Sequence, residues 1–148
     1  GHKLFYWKGK AHAELEFIVE AENQLYPIDV KKCNRECKYF IGTHDFSSFC
    51  AANSSVEDHV RTITNCGMTR NGDLVTFFVE GDGFLYNMVR IMVGTILEIA
   101  AGTKPEGCIP QILEKKDRSA AGATAPAWGL YLDQVFYDWH KPENESEG

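Results

Sequence analysis

Gly83-Phe84-Leu85-Tyr86-Asn87-Met88-Val89-Arg90-Ile91-Met92-Val93-Gly94-Thr95, continued by Ile96-Leu97-Glu98-Ile99-Ala100-Ala101, is the stretch on which the fold turns. Leu85, Met88, Val89, Met92, Val93, Ile96 and Ala100 recur at the helical period, which predicts a helix from Leu85 to about Ala101 with Gly102 as its stop. The other faces are nearly as apolar. In helical projection Arg90 falls beside Tyr86, Val93 and Leu97, and Glu98 is the only other charge on the helix. Burying an unpaired guanidinium costs several kcal/mol, and arginine does not neutralise itself, so Arg90 needs a carboxylate or phosphate partner. Two readings stand: Arg90 pairs with an acid of this chain, such as Asp45 or Asp82, to close the core, or it holds a catalytic carboxylate.

Upstream of the helix, Gly81-Asp82-Gly83 allows a tight backbone approach, and Phe84 is placed to stack on a base. Phe84, Leu85 and Tyr86 are therefore candidate pocket residues. Val60–Cys66 and Leu74–Val79 are rich in β-branched and aromatic residues, and Arg70-Asn71-Gly72-Asp73 between them carries an Asn-Gly turn signal, which predicts an antiparallel hairpin. Earlier still, Leu15, Phe17, Val19 and Ala21 alternate with Glu14, Glu16, Ile18 and Glu20 within a strand region spanning residues 3 to 22, with Lys8-Gly9-Lys10 as a possible pairing turn. Pro27 closes that region, and Asp29 is set to cap a helix from Val30 to about Phe40 that ends at Gly42.

Downstream, Pro105 predicts the opening of a short helix through about Lys116, Ser119–Gly129 a Gly/Ala-rich loop, and Leu130–Tyr137 a last strand. Pro142–Gly148 is an acidic tail. Long helices among antiparallel strands, without regular βαβ alternation, predict an α+β domain: an antiparallel sheet with helices packed on one face. The expected organisation is an N-terminal strand region over 1–24, one domain over 25–138 and a tail over 139–148.

The 148 residues, 44% of them hydrophobic, suit one globular core. No uncharged apolar run is long enough for a membrane span, and no secretory signal pattern opens the sequence, so a cytoplasmic location and no membrane are expected. Five cysteines, Cys33, Cys37, Cys50, Cys66 and Cys108, are an odd number scattered through ordinary elements, as reduced thiols would be. Cys33 and Cys37 lie one helical turn apart with His44 following, yet no second ligand pair has zinc spacing, so no metal is expected. A His44-Asp45 base pair with Ser47 or Ser48 as hydrolase nucleophile is a weak arrangement, because the serines are too near in sequence. The net charge of -6 argues against a free-standing nucleic-acid binder. Lys104, Lys115, Lys116 and Arg118 form the best local basic cluster, and a helix N-terminus at Pro105 would also face phosphate.

Three blocks in order carry a family resemblance. Gly83–Thr95 resembles a signature of the TruA family of tRNA pseudouridine synthases; Tyr39-Phe40-Ile41-Gly42-Thr43-His44-Asp45-Phe46-Ser47-Ser48-Phe49 resembles its helix-to-loop segment; and Asp117-Arg118-Ser119 through Thr124-Ala125-Pro126 to Gly129-Leu130-Tyr131-Leu132 resembles its C-terminal motif. The similarity runs from about Leu25 to Tyr137. It implies the C-terminal half of a pseudouridine synthase-like fold, an isomerase acting on uridines of the tRNA anticodon stem-loop, no cofactor, tRNA as partner and a homodimer. It further implies that Arg90 ion-pairs with the family's aspartate and that Leu130 or Leu132 supplies an apolar pocket wall. The family's Gly-Arg-Thr-Asp-Ala-Gly type motif does not occur in this sequence, and Tyr6 is a weak match for its pocket tyrosine. The chain by itself is accordingly expected to be inactive, a binding or dimerisation module whose Arg90 lies at an exposed cleft. Gly1-His2 reads as a cloning remnant.

Overall fold

The computed structural model describes residues 12–20, 27–52 and 54–136, with the backbone alone for 131–136. Five strands form one antiparallel sheet: β1 (His12–Glu20), β2 (Gly42–Asp45), β3 (Val60–Asn71), β4 (Leu74–Gly81) and β5 (Leu130–Phe136), in the order β2-β3-β4-β1-β5. Helices α1 (Val30–Cys37), α2 (Met88–Ala101) and α3 (Ile109–Lys115) complete an α+β domain of the expected class. Lys8-Gly9-Lys10 and the acidic tail lie outside the described residues.

The alternation read in β1 sets its faces. Ala13, Leu15, Phe17 and Val19 are buried and meet the equally buried Val75, Phe77 and Val79 of β4 in register, Phe17 opposite Phe77. β3 keeps phase with them through an irregularity: its pairing slips between Ile63 and Asn65, so Ile63 and Cys66, three apart, both point into the core. The hairpin turn falls at Gly72 (φ +62), as its Asn-Gly signal predicts, but β3 extends beyond Cys66 to Asn71. Gly67 is tolerated within the strand because the ring of Phe78, its partner on β4, fills the space; a Cβ there would sit 2.6 Å from Phe78 Cζ.

α1 is capped as expected, Asp29 Oδ1 accepting from Lys32 N at 3.2 Å. Its α-helical part ends at Cys37, and a 3-10 turn over Lys38–Phe40 finishes what the sequence suggested was one helix. β2 pairs with only the first residues of β3, Val60–Ile63. Farther along, Asn34 of α1 takes over the edge, donating from Nδ2 to Met68 O and accepting from Met68 N, both at 2.7 Å. Phe40, Phe46 and Phe49 pack edge-on in the same core, the Phe40 and Phe49 ring centres 5.2 Å apart.

Two helix starts differ from the sequence expectation. α2 begins at Met88, not Leu85, because Asn87 takes a left-handed conformation (φ 60, ψ 13) that no α-helix continues; Leu85 is buried by the preceding turn, closed by Met88 N to Leu85 O. α3 begins at Ile109 with Pro110 in its first turn, not at Pro105. Gly107, at φ +77, gives its N–H to the buried carboxylate of Glu36 and breaks any helix before that point. The phosphate-facing helix end expected at Pro105 is therefore not there. Gly102 (φ +86) ends α2 as predicted, its N–H reaching back to Glu98 and Ile99 carbonyls.

Candidate active site

The first turn of α2 and the loop between α3 and β5 converge on Arg90. Its Nε donates to Ala125 O at 2.7 Å, and its Nη1 donates to Asn87 Oδ1 at 3.0 Å. The Ala125 N–H returns a bond to Arg90 O at 3.0 Å, so the two residues clasp each other twice. The guanidinium is half-buried. Among the described residues no carboxylate pairs with it: Asp82 accepts from Thr62 N, and Asp45 accepts from the hydroxyl and backbone N–H of Ser47. Neither acid offered for closing the core is its partner.

The loop reaches Arg90 because α2 lets it approach. A Cβ on Gly94 would lie 1.7 Å from Ala123 O, so only glycine admits the chain here. One residue on, the buried Thr95 hydroxyl donates to Ile91 O and accepts from Gly122 N, both at 2.8 Å. Glu98 accepts from Ala123 N at 2.8 Å. Arg118 braces the loop from within, Nη1 to Gly122 O at 2.8 Å and Nη2 to Thr124 Oγ1 at 3.1 Å. Lys104 donates to Ala120 O at 3.3 Å beside Glu98.

These contacts divide the basic cluster. Lys104 and Arg118 hold the loop on α2, whereas Lys115 and Lys116 stand exposed at the C-terminal end of α3. The pocket residues divide too. Phe84 and Leu85 are buried in the core at 2% exposure, Leu130 is buried, and Tyr86 is exposed; the Leu132 side chain lies outside the described residues. Trp128, three residues beyond Ala125, is the most exposed large apolar side chain among the described residues, at 71%. Asn87, Gly94 and Ala125 were not singled out by the sequence reading. Their one signal was an asparagine just before a helix, hidden by starting that helix at Leu85.

A separate cleft of about 780 Å³ lies between β2 and α3, lined among others by Tyr39, His44, Asp45, Gln111 and Lys116. Beside the cleft Ser47 donates its hydroxyl proton to Asp45, and His59 holds Nδ1 2.8 Å from Ser47 Oγ while its Nε2 lies 3.0 Å from Val56 O. His44 bonds Ile41 O and sits edge-on to Phe46. Burial works to raise the Asp45 carboxyl pKa, but the Ser47 bonds and the charges of Lys116 and His59 outweigh it and hold it below the ordinary carboxylate range. Burial above all, helped by Cys37, pushes the Cys33 thiol up to about 12. Among the described residues no three His, Cys, Asp or Glu side chains are grouped to hold a metal, and no helix is long and apolar enough to cross a membrane.

A family model described as tRNA pseudouridine synthase matches residues 37–138. A tRNA pseudouridine synthase A of Anoxybacillus flavithermus is 46% identical over 132 residues, covering 89% of this chain and 53% of that protein. One from Acetivibrio thermocellus is 49% identical over 145 residues, covering 92% of this chain and 59% of the relative. One from Halalkalibacterium halodurans is 53% identical over 105 residues, 71% of this chain and 40% of that protein. The chain spans about half the length of the curated relatives it matches.

Proposed function

The chain belongs to the tRNA pseudouridine synthase family, and from that premise we propose that it supplies the arginine-bearing part of a uridine-isomerising site on tRNA. One observation carries this reading: Arg90 is half-buried and held by two hydrogen bonds, yet no acid among the described residues neutralises it. A fixed cation in a partly desolvated place stabilises an anion brought to it. The anion is the family's aspartate, whose Gly-Arg-Thr-Asp motif does not occur in these 148 residues.

In the reaction the N1–C1′ bond of a uridine breaks, the uracil turns, and a C5–C1′ bond forms; the C5 proton leaves and N1 gains one, so no atom is added or lost. No cofactor is needed. Arg90 keeps the attacking carboxylate ionised and oriented. Tyr86 and Leu130, with Phe84 and Leu85 packed behind, form the apolar side that keeps water from the detached base. Lys115 and Lys116 are the cations free to meet tRNA phosphate, while Lys104 and Arg118 shape the site instead. The assembled enzyme is a cytoplasmic homodimer acting on the anticodon stem-loop.

The missing carboxylate also favours a second reading for these residues alone, a non-enzymatic RNA-binding or dimerisation module. The two separate when the chain is joined to the portion of the Anoxybacillus flavithermus relative that it does not match. Pseudouridine forming on an unmodified tRNA transcript, and falling steeply with Arg90→Lys, is the expected result. An Arg90→Lys variant as active as the parent would reject the catalytic reading.

A further inference from the structure

We propose that Asn87 is a positioning residue for Arg90, and that its grip fixes the direction from which a carboxylate approaches. The proposal rests on the reading of Arg90 as a carboxylate-holding arginine. Three features of Asn87 converge. It stands at the N-cap of α2, where an asparagine side chain ordinarily accepts from a backbone N–H of the first turn, yet it makes no such cap. It holds a left-handed backbone, φ 60, which asparagine adopts more readily than most residues with a Cβ. Its Oδ1 instead accepts from Arg90 Nη1 at 3.0 Å. The Asn87 amide thus holds a guanidinium where an N-cap asparagine would hold the helix end.

The consequence is directional. A guanidinium binds a carboxylate in two ways, side-on through Nε and one terminal nitrogen, or end-on through both terminal nitrogens. Ala125 O occupies Nε, which closes the side-on mode. Asn87 takes one of the two Nη1 protons and stops rotation of that group. Nη2, for which no partner appears among the described residues, and the Nη1 proton that Asn87 leaves are what an incoming carboxylate meets. A carboxylate is thus met at the terminal nitrogens rather than through Nε, and Asn87 keeps those nitrogens aimed.

The test uses Asn87→Gly, which keeps the left-handed backbone without strain and deletes only the amide. In this chain labelled with 15N, the guanidinium signals of Arg90, identified by their loss in Arg90→Lys, should show hindered, separate η protons. Asn87→Gly should merge them into an averaged signal, and Asn87→Asp, which restores an acceptor oxygen, should separate them again. Signals unchanged in Asn87→Gly would overturn the proposal. In whichever form makes pseudouridine, alone or joined to the carboxylate-bearing part, Asn87→Gly should lower kcat about tenfold or more while KM stays within about twofold, because misaimed catalytic groups cost rate rather than binding. Unchanged kcat would equally overturn it. If no form makes pseudouridine, the isomerase reading falls and the guanidinium signals still decide the role of Asn87.

Discussion

Asn34 and Asn87 each reach from a helix to a group elsewhere, with opposite results. Asn34 meets the backbone of Met68 with a donor and an acceptor, two bonds of 2.7 Å, where β2 no longer covers β3. Every polar atom in that exchange has a partner, so the rim of the sheet is finished and has no further chemistry to offer. Asn87 meets Arg90 with one bond, and a second goes from Arg90 to Ala125, which leaves donors of a half-buried cation without a partner among the described residues. One amide closes an edge; the other presents a charge. The same side chain thus serves stability in one place and function in the other, according to whether its partner is saturated.

Three substitutions probe this contrast, from the largest effect down. Gly94→Ala puts a methyl group against Ala123 O and forces the loop off α2; overpacking of this kind costs roughly 2–3 kcal/mol, read as a lower urea midpoint, and the Arg90–Ala125 clasp should open with it. A midpoint within error of the parent would show the loop is not seated on Gly94. Asn34→Ala strips the Met68 N–H and C=O of their partners and should cost about 2 kcal/mol while exposing a strand edge that promotes aggregation. Asn87→Gly should change stability by less than about 0.5 kcal/mol, since the ease with which glycine takes a positive φ offsets the lost bond. A loss matching that of Asn34→Ala would erase the contrast.

The smallest effect is on pH. Asp45 titrates below its unfolded value, so it adds stability at neutral pH that persists down to the ordinary carboxylate range and is lost as pH falls through its folded pKa. Amide protection factors around Asp45 should therefore fall on the acid side, and Ser47→Ala, which removes the hydroxyl bond holding Asp45 down, should flatten that dependence.

Periodicity made much of this legible. The faces of β1, the Asn-Gly hairpin, the Asp29 cap and the Gly102 stop are local or period-based signals, and each is found where read. The failures have a common cause, a tertiary partner invisible in the local string. The left-handed turn of Asn87 cuts three residues from the front of α2, and the Glu36 carboxylate, far off in sequence, stops a helix from forming at Pro105. In the site, Arg90 stood out because a lone cation in an apolar helix demands a partner. Lys104 and Arg118 looked like an RNA-facing patch, but carbonyl groups of a loop folded over α2 claim both, which only the folded chain discloses. Gly94 has no local signal of its own, and its role shows only with Ala123 lying against it.

The most direct test of the account is to incubate the chain by itself with an unmodified tRNA transcript and count pseudouridine, beside the full-length Acetivibrio thermocellus relative as positive control. The account predicts product from the relative and none above background from the chain, because the carboxylate that Arg90 serves is not among its residues. Pseudouridine made by the chain alone, and abolished by replacing Asp45 or Asp82, would contradict it.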